Sequence, residues 1–355
     1  MEIDLQLVAL LRARRFRELD EAVVSIDRAY QANPLTESRM DVAARAFYRP
    51  GSDLQPLLDA WIKEMPGSYA ARLARGVFYT AVGYDKRGTC TADKTSCAKF
   101  DAMRENHAKA LADLDAAFAI NPRLIHALIY KMDIAMAAGD RRTNKAMHDK
   151  ALELNPLSLT ARFWFVTALL PRWGGSIAEM RAEIDAARPY YPKNPALKVL
   201  EGRIAFERGD DAYYDAGDMA AAANFYGEAL TFGSHPFYHA MHADALVRIG
   251  EVQAAMPDIE TALAAAPADP RAVFLRGYVR YTQDSFRPAI ADFSAALEGN
   301  TRHHEALDFR GLSYVETGNF KAAIADFERA VAIAPQNTEY LDHLKSAKDS
   351  ASRAR

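Results

Sequence analysis

The chain has 355 residues, is 50% hydrophobic and 26% charged, and carries a formal net charge of -3 from 44 basic and 47 acidic residues. That balance supports a large core and gives no electrostatic footprint for nucleic acid or for a polybasic membrane anchor. The longest apolar stretch, near 163–170, falls far short of the roughly 20 residues that span a bilayer.

The first residues, MEIDLQLVALLRARRF, open acidic and turn basic after a short apolar run. A secretory leader has the opposite order, so the sequence predicts a cytoplasmic protein. IDRAYQANP then closes a helix with Ala29 and Pro34. TESRMDVAARAFY and DLQPLLDAWIKEMP read as a helix pair, and SYAARLARGVFYTAVGY as a first helix with Gly76 at a crossing point. Its partner is expected near Phe100, after a polar insertion at 84–99. That insertion holds Cys90 and Cys97, read as free thiols, with a small-loop disulfide or a weak metal site as alternatives. LADLDAAFAINP, with Ala117 and Pro122, ends the partner helix. The next unit has Gly139 at its turn, Ala151 late in its second helix and Pro156 after it.

In LLPRWGGSIAEM, Pro171 stops a helix, Gly174 and Gly175 allow a turn with positive φ, and Ser176 with Glu179 forms a capping box. Arg172 and Trp173 either lock this turn onto a neighbouring helix or form an exposed binding feature. ALKVLEGRIAFERG and MAAAANFYGEALTF are separated by a second insertion, DDAYYDAGD, at 210–218.

Three units then align without gaps, at 236–269, 270–303 and 304–337. Small residues recur at Ala243, Gly277 and Gly311, at Ala255, Ala289 and Ala323, and at Ala262, Ala296 and Ala330, each step being 34 residues. Antiparallel helices that cross closely need small side chains at the crossing points. Val252, Phe286 and Phe320 fill the space beside the turn, and Ile259, Phe293 and Phe327 the buried face of the second helix. Gly250 and Gly318 mark the turn within a unit. Pro267 and Pro335, with Thr301 between them, stand just past the second helix. A polar helix from about Thr338 to Lys348 caps the array.

The 34-residue pattern resembles tetratricopeptide repeats. Residues 56–79, 111–122 and 169–180, with the SYAARLARG and PRWGGS motifs, are similar to a bacterial repeat-containing family of unknown function. The resemblance implies an all-α, right-handed superhelical solenoid of about nine antiparallel helix pairs. Residues 1–194 form a divergent region and 195–355 the clear repeats, continuous with it. It implies no reaction.

The chemistry-bearing candidates are few. His235, His239 and His242 in HPFYHAMH can share a helix face, which admits a zinc-dependent or hydrolytic enzyme as an alternative function. Neither HExxH nor a cysteine pair accompanies them. The sequence lacks GxGxxG, Walker and GxSxG motifs, and GDDAYYDAGD lacks the ligand spacing of a calcium loop, so no cofactor or metal is expected.

The expected function is a protein-binding scaffold, with an inhibitory, immunity-type binder of a bacterial toxin as a further alternative. Phe237, Met241, Phe274, Leu275, Tyr278, Tyr281, Phe309 and Leu312 are expected to line an inner groove that takes an apolar helical segment of a partner. Asp244, Arg248, Asp308 and Glu316 would orient that segment, and Arg172 and Trp173 would add a second contact. Ala240, Asp244, Leu275, Glu305 and Phe309 occupy the positions of a carboxylate clamp without its cations or amides.

Overall fold

The computed structural model describes residues 3–51, 53–88 and 95–353. Among these, every regular element is helical. They comprise α1 (Ile3–Arg12), α2 (Phe16–Ala32), α3 (Glu37–Arg45), α4 (Gln55–Glu64), α5 (Tyr69–Arg87), α6 (Cys97–Ile120), α7 (Ile125–Ala137), α8 (Arg141–Leu154), α9 (Leu159–Ala168) and α10 (Ile177–Ala187). The chain continues with α11 (Arg203–Asp210), α12 (Met219–Leu230), α13 (Pro236–Arg248), α14 (Val252–Ala265), α15 (Pro270–Thr282), α16 (Phe286–Gly299), α17 (His304–Glu316), α18 (Phe320–Ile333) and α19 (Thr338–Arg353). From α5 onward, odd-numbered helices are the first and even-numbered helices the second of each antiparallel pair, and the pairs stack into the solenoid expected from the repeat.

The small positions are small for a measurable reason. A Cβ on Gly277 would lie 2.8 Å from Phe293 Cε1, and one on Gly311 would lie 2.6 Å from Phe327 Cε1. Phe293 and Phe327 are fully buried, as are Ala255, Ala289 and Ala323. In these two units a buried ring is therefore set against a bare backbone. Gly250 and Gly318 take φ of 86° and 79° at their turns, and Asp284 takes the same left-handed conformation, at 57°, in the middle unit.

Four details differ from the sequence reading. The cap is longer than Thr338–Lys348, because α19 runs to Arg353, with Tyr340 and Ala347 buried. The first insertion is shorter than 84–99. Helix α5 continues to Arg87 and α6 starts at Cys97, so helix propensity carries on into both ends. Cys90 lies outside the described residues, and with it the expected pairing state of Cys90 and Cys97. The second insertion is not a loop. Pro195–Gly202 is 3-10 helix, α11 follows, and Asp211–Ala216 is a π-helical turn ended by left-handed Gly217. The extra residues are absorbed as a widened turn, which re-aims Tyr213 and Tyr214. In PRWGGS, only Gly174 has positive φ, at 83°. Gly175 is required for close approach instead, since a Cβ there would lie 2.1 Å from Leu169 O.

Candidate functional site

The first helices of the pairs form the inner side of the solenoid, and the chain itself fills half of it. Helix α3 lies across α5, α7 and α9. Its Met40 and Ala43, and Ala46 and Phe47 just after it, are buried. Glu37 sits at the N-terminus of α9, where its carboxylate accepts from Leu159 N–H at 2.7 Å, Thr160 N–H at 3.2 Å and Ser158 Oγ–H. Tyr30 Oη–H adds a fourth donor at 3.0 Å. Free N–H groups and the helix dipole favour an anion there. Burial, and then the neighbouring Asp41, nevertheless push the Glu37 carboxyl above the ordinary range. Asp41 accepts from His126 Nε2–H at 2.8 Å and from Thr160 Oγ1–H at 2.7 Å. Burial disfavours charge on His126, but its bond to Asp41 and the charges of Asp41, Glu37 and Asp27 together outweigh that and raise its pKa.

The N-terminal helices also reach the C-terminal repeats. Arg45 lies 3.6 Å from Asp269, Arg12 lies 3.4 Å from Glu298, and Gly51 N–H donates to Glu298 O at 3.1 Å. Thr301 donates to Asp85 at the end of α5. The turns after α14 and α16 thus rest on the chain's own beginning, and the solenoid closes around α3.

The inner side of α13, α15 and α17 is not covered by α3. Here the π-helical turn delivers two tyrosines. Tyr213 Oη–H donates to Asp244 at 3.0 Å, and exposed Tyr214 accepts from Arg271 Nη2–H at 3.1 Å. Asp244 also pairs with Arg248 at 3.0 Å and with Arg271, and Arg248 reaches Glu305 at 3.1 Å. The expected orienting charges Asp244 and Arg248 therefore hold one another. Asp308 pairs with His343 of the cap at 2.9 Å.

Of the residues expected to line the groove, Met241, Phe274 and Leu275 are core. They are buried between helices and closed to a partner. Helical spacing alone puts them on the inner helix, but the next unit's first helix covers that flank. Phe309 is half-buried, 5.0 Å from Tyr278, 5.4 Å from Tyr281 and 6.2 Å from Phe293 by ring centroids. Tyr278, Tyr281 and Leu312 keep partial exposure beside it, and Phe237 is exposed next to Phe206.

The histidine cluster is explained by the repeat. Arg276 binds Asp292 at 2.8 Å and Arg310 binds Asp326 at 2.7 Å, joining first and second helices. Arg75 and Asp113 make the same link at 2.7 Å. His242 and Asp258 stand one unit upstream of these pairs, 2.6 Å apart. His239 adds a second bond to Asp258 at 2.5 Å, and its Nε2 lies 2.9 Å from Ser234 Oγ. Burial opposes the charge on Asp258, but the two imidazoles outweigh it and hold the pKa down at about 2. His235 is apart from this set. It stacks on Phe163 at 4.0 Å and burial drives its pKa down to about 3, so it is a neutral packing residue. No group of three metal-ligating side chains occurs among the described residues.

Arg172 pairs with Glu207 and, at 2.7 Å, with Asp210, and so ties the PRWGG turn to α11. Trp173 instead borders the cavity of about 710 Å³ between α8 and α10. Sequence reasoning missed Glu37, Asp41 and His126. The alternation of Asp27, Tyr30, Glu37 and Asp41 with apolar residues was visible, but not what it faced.

Residues 304–337 and 240–287 match tetratricopeptide repeat families. The chain carries such repeats at these positions. No curated protein sequence matches the chain. Among solved structures it is similar to YrrB, described as a TPR protein with an unusual peptide-binding site, at 18% identity over 65% of this chain and 97% of that one, with a TM-score of 0.31. It is similar to PilF of Pseudomonas aeruginosa at 12% identity over 78% and 99%, TM-score 0.36. A tetratricopeptide repeat protein of Parabacteroides merdae is similar at 16% identity over 88% and 97%, TM-score 0.33.

Proposed function

We propose that the chain is a non-catalytic protein-binding scaffold, and that the inner strip of α13, α15 and α17 receives an apolar helical segment of another protein. The observation that carries this reading is the contrast between the two halves of the inner side. In one half, α3 fills the space as a helix with an apolar face and polar ends. In the other, Phe237 is exposed and Tyr278 and Tyr281 stay partly exposed, while Leu312 beside them packs toward the cap. Aromatic side chains with a polar tip suit such a contact. Arg248, Arg271, Glu305 and Tyr214 frame the strip and would set the partner's register. We assign the N-terminal half to the bacterial repeat-containing family that its motifs resemble, and the protein to the cytoplasm. No helix among the described residues is long and apolar enough to cross a membrane.

The test is a photo-crosslinking amino acid placed at Tyr281 and, as a control, at exposed Lys150 on α8, in cells expressing the chain. A discrete adduct from position 281, lost in a Tyr278→Ala background that melts normally, is the expected result. Equal labelling from both positions refutes the strip as the binding surface.

A further inference from the structure

A cavity lies away from the inner strip, on the side of the second helices. It has a volume of about 710 Å³ and opens between α8 and α10. That size is typical of small-molecule sites. It exists because the turn between α9 and α10 is not the short turn of the clear repeats. Pro171–Trp173 forms a 3-10 turn, Gly174 is left-handed, and Gly175 is pressed against Leu169 O. These extra residues hold α10 off α9 and leave a slot between α8 and α10. The Arg172 pairs with Glu207 and Asp210 fix the turn in place.

The walls are apolar and aromatic, with Met136, Phe165, Leu169 and Trp173 among them. Phe165 is itself stacked on His148, with centroids 4.0 Å apart and planes at 14°, so one wall is a rigid flat surface. Asn144 lines the same cavity, is 3% exposed, and has a buried Oδ1 with no hydrogen-bond partner. Its Nδ2 donates to Met132 O at 2.7 Å, which fixes the orientation of the amide. A buried acceptor without a donor costs on the order of 1–3 kcal/mol unless something supplies one.

The charges at the rim are unequal. Glu179 is held by Arg141, Asp149 by Lys145, and Glu183 by Arg162. Arg142, also lining the cavity, makes no ion pair among the described residues. Its charge acts at longer range on Asp140 but makes no close pair, so it stays open to a further anion.

We propose that this cavity is a binding site for a small aromatic carboxylate carrying an N–H or O–H donor. The ring lies between Trp173 and Phe165, the donor meets Asn144 Oδ1, and the carboxylate faces Arg142. This site is independent of the inner strip and of the partner proposed for it. The same chemistry could be presented by a free aromatic acid or by a peptide ending in tryptophan, and the probes separate the two.

Titration calorimetry on the full chain would use indoleacetate, indole, tryptamine and the tripeptide Ala-Ala-Trp. Indoleacetate is expected to bind more tightly than neutral indole, and tryptamine least. Trp173→Ala should weaken indoleacetate by at least about tenfold and Arg142→Glu by about fivefold. Arg142 is exposed, so its variant keeps the test valid if Trp173→Ala fails to fold. Binding of Ala-Ala-Trp with no binding of indoleacetate overturns the small-molecule site in favour of a chain end. Silence from every probe at millimolar concentration, or affinities unchanged in Arg142→Glu, overturns the proposal entirely.

Discussion

Arg49 Nη1 donates to Glu298 Oε2 at 2.9 Å, although 249 residues separate them in the chain. Arg49 is almost buried and also lies 3.6 Å from buried Asp4. A nearest-neighbour stack of repeats contains no such contact, because each unit touches only the next. This one fastens the beginning of the chain to the last turn of α16.

Glu298 is a third exposed and Arg49 keeps Asp4 as a partner, so Glu298→Ala should cost only about 1 kcal/mol. It should also raise hydrogen exchange across α1 and α3 while leaving α18 and α19 protected. Equal exchange throughout the chain, or none gained in α3, contradicts the role of this contact as a clasp.

Glu37 accepts four hydrogen bonds at the N-terminus of α9. Glu37→Gln keeps the volume but turns an NH₂ toward donors. The expected cost is about 2–3 kcal/mol by chemical denaturation. A variant as stable as the parent means that α3 is held by apolar contacts alone.

Asp133 accepts from Tyr84 Oη–H at 2.7 Å, yet burial pushes its pKa up to about 6. A carboxyl raised in the folded state binds its proton more tightly there than when unfolded. Its contribution therefore favours folding at low pH and is lost progressively as pH rises from about 4 to 6. Allowing for partial exposure, the effect is on the order of 2 kcal/mol. Asp133→Asn should flatten the stability profile across that window. An unchanged profile shows that another group sets it.

His242 occupies the place of Arg276 and Arg310, so His242→Arg should be neutral or mildly stabilising, and Asp258→Asn destabilising. The Ser234–His239–Asp258 line should be inert to a fluorophosphonate probe. Labelling of Ser234 that depends on His239 makes it a nucleophile and revives the hydrolytic alternative.

Local pattern was enough to read the repeat. Gly277 and Gly311 had to be small because Phe293 and Phe327 lie against them, and both sides of that contact belong to one unit, so a 34-residue period displays them together. The cap, the turn glycines and the Ser176 cap follow from similarly short-range chemistry. Groove residues were only partly legible. Met241, Phe274 and Leu275 share helical spacing with Tyr278 and Tyr281, and burial by the adjoining unit separates the two sets. What the tertiary structure alone decided was long-range. Curvature, summed over many small rotations between units, brings Glu298 to Arg49 and lays α3 across α5, α7 and α9. No local residue pattern encodes such a sum, so neither the filled half of the inner side nor the slot beside Trp173 could be read before the chain was folded.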